Sequence, residues 1–202
     1  MGAFEEFAED WDDIPEDTGG ILRPFVWCLA EAAEVKATTN DKVSPAIPQL
    51  EINWNILESA TSESMTERGI AWWAARETKP PAKAFGRVKD WLSKPPKGHP
   101  GVSEKARNFQ AGQFGKAISA ALVPTMMAGT RPAIDAARQV AQSAGGFDVA
   151  LAGKHILLKL GVNDGTDSTG VVKNEDRNEK PMNRVDSYMA ATPENVIKYV
   201  RR

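Results

Sequence analysis

A chain of 202 residues with 42% hydrophobic content is long enough to bury one core, and its formal charge of -2 at pH 7 marks neither a strongly basic nor a strongly acidic protein. The single cysteine, Cys28, excludes an internal disulfide and fits a reducing compartment. No apolar run approaches the ~18 residues of a membrane span and no basic-then-apolar leader opens the chain, so the expectation is a cytoplasmic protein without a membrane partner.

The charge is unevenly placed. Every ionisable side chain from Phe4 to Asp17 is a carboxylate, eight of the 27 in the chain, which leaves 19 against 25 Lys and Arg over the remainder, a surplus of six positive charges. Phe4, Phe7, Trp11 and Ile14 are interleaved with those carboxylates and resist burial beside them, because the charges would repel and lose hydration. Residues 1–20 therefore read as a flexible acidic segment displayed to a partner, with Trp11, Asp12, Asp13, Ile14 and Pro15 as its contact residues.

Beyond a hinge at 18–20, the stretch Arg23 to Lys36 reads as a first strand, since Pro24 argues against a helix interior and Phe25, Val26 and Trp27 favour extended backbone. Pro45 and Pro48 mark 38–48 as a loop. Leu50, Ile52, Trp54 and Ile56 alternate with Glu51, Asn53 and Asn55, the period of a half-buried strand that sends Trp54 inward. A third strand is expected over 69–76; there Ile70 and Trp72 share one face, and Trp73 falls on the other, the better placed for stacking. Pro80-Pro81 and Pro95-Pro96 bracket a segment, 82–93, that reads as a short helix. Ser103 suits the cap of a helix from about Glu104 to Val123, with Phe114, Ile118, Ala121 and Leu122 on one stripe and Pro124 ending it. A second helix starts near Pro132 and stops before Gly145-Gly146.

Extended backbone returns at Gly153 to Val162, with Ile156, Leu158, Leu160 and Val162 in core phase and His155, Leu157 and Lys159 outward. The polar stretch 164–181 reads as a long loop. Asn183 to Met189 is a last strand that puts Arg184 and Tyr188 on one face, and 193–202 is a short basic segment with Ile197, Tyr199 and Val200 available to dock. Three strands, a helical block and two more strands give an α+β, mainly β class: a five-stranded OB-fold barrel over 21–192, with a helical insertion between strands three and four at about 79–148.

Chemistry follows from the charge pattern. From Arg76 to Lys116 ten basic residues stand against Glu77, Asp90 and Glu104, with Phe85, Trp91 and Phe109 among them. Cations neutralise phosphates, and aromatic faces stack on unpaired bases at ~1–3 kcal/mol each without reading sequence. Any one of these residues could instead belong to a solvated face or a core; the cluster as a whole points to single-stranded nucleic acid. The candidate contacts are Lys36 at the first loop, Trp73, Arg76, Lys79, Lys83 and Arg87 in the middle, Lys154, His155 and Lys159 on the fourth strand, Lys173 and Arg177 in the long loop, and Arg184 and Tyr188 on the last strand. His99 and His155 have no metal-ligand spacing to each other or to Cys28, so neither metal nor cofactor is expected, and the chain reads as non-enzymatic.

The run Glu9 to Pro15 resembles the acidic tip of bacterial single-stranded DNA-binding proteins, where Asp residues, an aromatic and an Ile-Pro pair recruit replication and repair partners. There the tip is C-terminal and ends in an aromatic; here it is N-terminal and continues into Glu16. The body carries Glu34-Val35-Lys36, Ile56-Leu57-Glu58, Gly153-Lys154 and Asn183 to Tyr188, and is similar to phage-encoded single-stranded DNA-binding proteins from replication and recombination gene clusters. That resemblance implies a protein that coats single-stranded DNA in the host cytoplasm with little sequence preference, its acidic segment competing with DNA or recruiting replication or recombination proteins. Two other classes are weighed against it. One is a protein-interaction or assembly module whose basic face only solvates; the other is a metal-dependent nuclease drawing on Asp164, Asp167, Glu175 and Asp176.

Overall fold

The structure, a computed structural model, describes residues 26–59, 87–163 and 182–201. β1 (Val26–Asn40) and β2 (Ile47–Ser59) form a hairpin, and in the middle of β2 the period of two is plain: Leu50, Ile52 and Trp54 are buried, while Glu51 and Asn53 lie on the other face. The connection is tighter than the loop expected over 38–48, because Thr38, Thr39 and Asn40 continue the ladder opposite Gln49, Pro48 and Ile47. Polar residues there close the hairpin tip: Asn40 Oδ1 accepts the Lys42 N–H and the Thr39 hydroxyl donates to Asp41.

β3 (Arg87–Ser93) pairs antiparallel with β2, setting Val88 opposite Trp54 and Leu92 opposite Leu50. This corrects the helix expected within 82–93. Val88, Asp90 and Leu92 face inward and Arg87, Lys89 and Trp91 are exposed, an alternation no helical stripe can produce. The third strand expected over 69–76 lies outside the described residues.

Helices follow, as the caps foretold. Ser103 accepts the Ala106 N–H at the start of α1 (Glu104–Leu122), and α2 (Arg131–Ala144) has Pro132 in its first turn. Gly145 takes φ 89° after α2; its N–H reaches the Gln142 carbonyl, and that of Gly146 reaches Ala141, which satisfies two carbonyls left over at the helix end. The chain turns at once into α3 (Phe147–Leu151), a short helix absent from the sequence expectations, which sets Phe147 edge-on against Phe114 with ring centroids 5.5 Å apart.

β4 (His155–Asn163) then pairs with β1, and β5 (Met182–Ala190) with β4, giving one five-stranded antiparallel sheet in the order β3-β2-β1-β4-β5. The class is α+β, mainly β. α1, α2 and α3 cover one face, where Cys28, Ala30, Ile52, Trp54, Ile156 and Leu158 meet Phe114, Ile118, Ile134 and Phe147. The final segment is α4 (Pro193–Tyr199), capped by Thr192, and it covers the opposite face of β1 and β4. Leu157, expected outward, is therefore fully buried with Trp27, Val196 and Val200, and Tyr199 packs 5.7 Å from the Trp27 ring. No helix of the described residues is long and apolar enough to cross a membrane.

Cys28 sits within the main core at the β1–β4 pairing, and burial pushes its thiol up to about 12. The thiolate is the reactive form. At pH 8 the native protein should resist a disulfide-exchange reagent and react fully in denaturant; labelling of the native protein at the denatured rate would contradict this packing.

Candidate nucleic-acid interface

β3 and β5 are the two edges of the sheet, yet their side chains meet. Asp90, inward on β3, accepts the Tyr188 hydroxyl from β5 at 2.7 Å and the Trp54 Nε1–H from β2 at 3.3 Å, both on Oδ2. Its Oδ1 accepts the Trp91 N–H. Burial raises the Asp90 carboxyl above its ordinary range, with the three hydrogen bonds pulling the other way. Burial, and then the charge of Asp90, hold the Tyr188 phenol well above its usual 10, so Tyr188 is the standing donor of the pair.

The alternation of β5 slips at Asp186. Val185 pairs with Leu160 and Ser187 with Lys159, so Asp186 is an extra residue, a β-bulge. One added residue moves every side chain beyond it to the other face, and Tyr188 therefore joins Val185 on the core side while Arg184 does not. This corrects the expectation that Arg184 and Tyr188 share a face: Tyr188 is 2% exposed and engaged with Asp90, which removes it as a stacking ring.

Between the two edges lies an open cleft of about 790 Å³. Buried Asp90, Leu92 and Tyr188 lie at its base with Val185. Phe109, Gln110 and Gln113 enter from the first turns of α1. Trp91 and Ser93 come from β3, Gln49 from β2, Asn40 and Lys42 from the hairpin tip, and Arg184 and Asp186 from β5. Trp91 is 48% exposed and Phe109 66%, two large rings left open to solvent beside polar neighbours. Lys89 flanks Trp91, 5.8 Å from its ring and 2.7 Å from Glu51, whose carboxyl it helps hold low.

Compared with protein-family models, curated proteins and solved structures, the chain matches none. Residues and geometry alone define the site.

Of the residues expected to contact nucleic acid, Arg184 and Tyr188 line the cleft. Lys36 is exposed on β1 and paired with Glu34 at 2.7 Å, which raises the lysine and lowers the carboxyl. Arg87 is exposed at the start of β3. Lys154 and His155 are exposed at the start of β4, where His155 pairs with Glu31 of β1, and Lys159 is half-buried opposite Trp27 with contacts of its own. None of these five lines the cleft. Trp73, Arg76, Lys79, Lys83, Lys173 and Arg177, with the acidic-segment residues Trp11, Asp12, Asp13, Ile14 and Pro15, lie outside the described residues.

The basic cluster of 76–116 is also divided. Lys94, Arg107 and Lys116 are buried, Arg107 Nε donating to the Pro95 carbonyl, whereas Lys97 and Lys105 are exposed. Trp91 and Phe109 belonged to that cluster without being singled out. An exposed strand position for Trp91 was legible only once 87–93 is extended. Among the described residues no three His, Cys, Asp or Glu side chains gather as a metal site, and Asp164, Asp167, Glu175 and Asp176 lie outside them.

Asp90→Ala orphans two buried donors at ~1–3 kcal/mol each, so urea denaturation should show a loss of roughly that sum, and Tyr188→Phe a smaller one. The folded carboxyl is raised, so the folded state binds the proton more tightly than the unfolded state. Its contribution is greatest below the ordinary 3.8 and falls as pH rises from there to the folded value. Asp90→Asn removes this dependence. The stability of wild type minus that of Asp90→Asn should therefore decline on going up from pH 3 and then level off; a difference flat across that range rules the assignment out.

Proposed function

We propose that the protein is a non-catalytic single-stranded DNA-binding protein, and that the cleft between β3 and β5 receives the strand. The observation that carries this reading is the pair of exposed rings, Trp91 and Phe109, in a cleft that also holds Lys42 and Arg184. Unpaired bases need ring faces and their phosphates need cations; a duplex hides the former. Weak reading of sequence fits the rest of the lining, since rings stack on any base.

The strand order supports the finer architecture. β1 lies between β2 and β4, and Asp90 and Tyr188 draw β3 and β5 together, as in a five-stranded OB-fold barrel with its helical insertion between strands three and four. Such barrels bind oligonucleotides on strands two and three and on the loops beside them. That Gln49 of β2, Trp91 and Ser93 of β3 and Lys42 of the first hairpin line the cleft supports this mode of binding. The setting, phage replication or recombination, rests on the sequence resemblance, and so does the part given to the acidic segment: competing with DNA for the cleft, or recruiting partner proteins.

Labelled oligo(dT) followed by fluorescence anisotropy tests the reading. Trp91→Ala and Phe109→Ala should each weaken binding about 5- to 150-fold, the equivalent of ~1–3 kcal/mol of stacking per base, with folding retained because both rings are exposed. If Lys42 and Arg184 each meet a phosphate, log affinity should fall against log salt with a slope of about -1.4. Deleting residues 1–17 tightens binding at low salt if the segment competes and leaves it unchanged if it only recruits. Equal affinity for duplex, or indifference to both ring substitutions, would reject the proposal.

A further inference from the structure

Arg184 and Arg201 both pair with carboxylates, but the pairs are built differently. Arg201 gives Nε and a terminal nitrogen to the two oxygens of Glu58 at 2.9 to 3.0 Å, a closed fork in which donors and acceptors are matched. Arg184 gives only Nε, to one oxygen of Asp186 at 2.6 Å, and makes no second hydrogen bond among the described residues. Its two terminal nitrogens, with four N–H donors, are left over at the cleft.

The backbone holds Asp186 in place for this contact. It is the bulged residue of β5; opposite Arg184 stands Gly161, where an added Cβ would overlap the Asp186 carboxylate. From α1, Gln113 Nε2 donates to the Asp186 carbonyl at 3.4 Å. The Asp186 side chain is 20% exposed and that of Arg184 58%, so a largely covered carboxylate anchors a guanidinium that is not covered. In a cleft for a polyanion, a carboxylate without such a task would only repel the ligand.

Resting on the reading of the cleft as a strand-binding site, we propose that Asp186 is a positioning residue: it fixes Arg184 through Nε so that the terminal N–H fork grips one backbone phosphate beside the stacked bases. A planar guanidinium matches two phosphate oxygens at once, and one already fixed loses less rotamer freedom on binding. Gly161 is part of the device, since only a residue without a side chain leaves room for the anchor.

The sign of one substitution separates this from plain electrostatics. Asp186→Ala removes a negative charge, which by charge alone should tighten oligo(dT) binding and steepen its salt dependence. Positioning requires the opposite, about tenfold weaker binding, the order of one charge-assisted hydrogen bond. Arg184→Lys keeps the charge, loses the fork and should weaken binding to a similar extent with the salt slope retained. The double variant Asp186→Ala/Arg184→Ala should bind no worse than Arg184→Ala. Thermal midpoints check folding, and if Asp186→Ala does not fold, the exposed Arg184→Lys and Arg184→Ala carry the test. Tighter binding by Asp186→Ala, or Arg184→Lys equal to wild type, overturns the positioning role while leaving the cleft in place. A wild-type chain that binds no oligo(dT) overturns the cleft reading itself.

Discussion

A single buried carboxylate brings the two margins of the sheet together. Asp90 takes donors from β2 and β5 while belonging to β3, so three strands converge on one side chain where main-chain pairing between β3 and β5 is not seen among the described residues. Such a group is costly to bury, and only the donors around it make the site tolerable; in the low dielectric of the interior each of those bonds is correspondingly stronger. Unpaired strand edges ordinarily invite another chain. Here a side-chain link joins the edges at the base of the cleft, which lies open between them.

Chemistry in the cleft is a matter of which residues the fold leaves out of the core. Trp54 and Trp27 are buried on opposite faces of the sheet, one against the helical block and one under α4, while Trp91, the strand neighbour of Asp90, is turned out. The basic residues divide in the same way, Lys94, Arg107 and Lys116 being structural while Lys42 and Arg184 face the opening. Composition alone assigns all of them one role. Position in the ladder gives them several.

How far the sequence foretold this depends on whether a local rule was obeyed. β2 was legible because the alternation from Leu50 to Ile56 is unbroken, and α1 and α2 because Ser103, Pro132 and Gly145-Gly146 punctuate them. β3 was hidden by Asp90 itself: a charged residue in an inward slot breaks the apolar period that announces a strand, and its partners, 36 and 98 residues away, are invisible locally. A bulge leaves no mark in a two-residue pattern, so the face of Tyr188 could not be read from β5 alone. Leu157 was misplaced for a third reason, since one-sided burial was assumed where a distant helix returns to cover the second side.

That second covering makes the sheet unequal along its width. β1 and β4 are clamped between α4 and the helical block, with Trp27 and Leu157 on one side and Cys28 and Leu158 on the other. Among the described residues β3 is covered on its inner side, with Arg87, Lys89 and Trp91 exposed on the other. Among the described residues the sheet thus has a doubly covered spine and a singly covered margin, and the cleft lies at the margin. None of Trp27, Cys28, Leu157 and Leu158 lines the opening, so substitutions at the exposed rings Trp91 and Phe109 leave both coverings of β1 and β4 untouched.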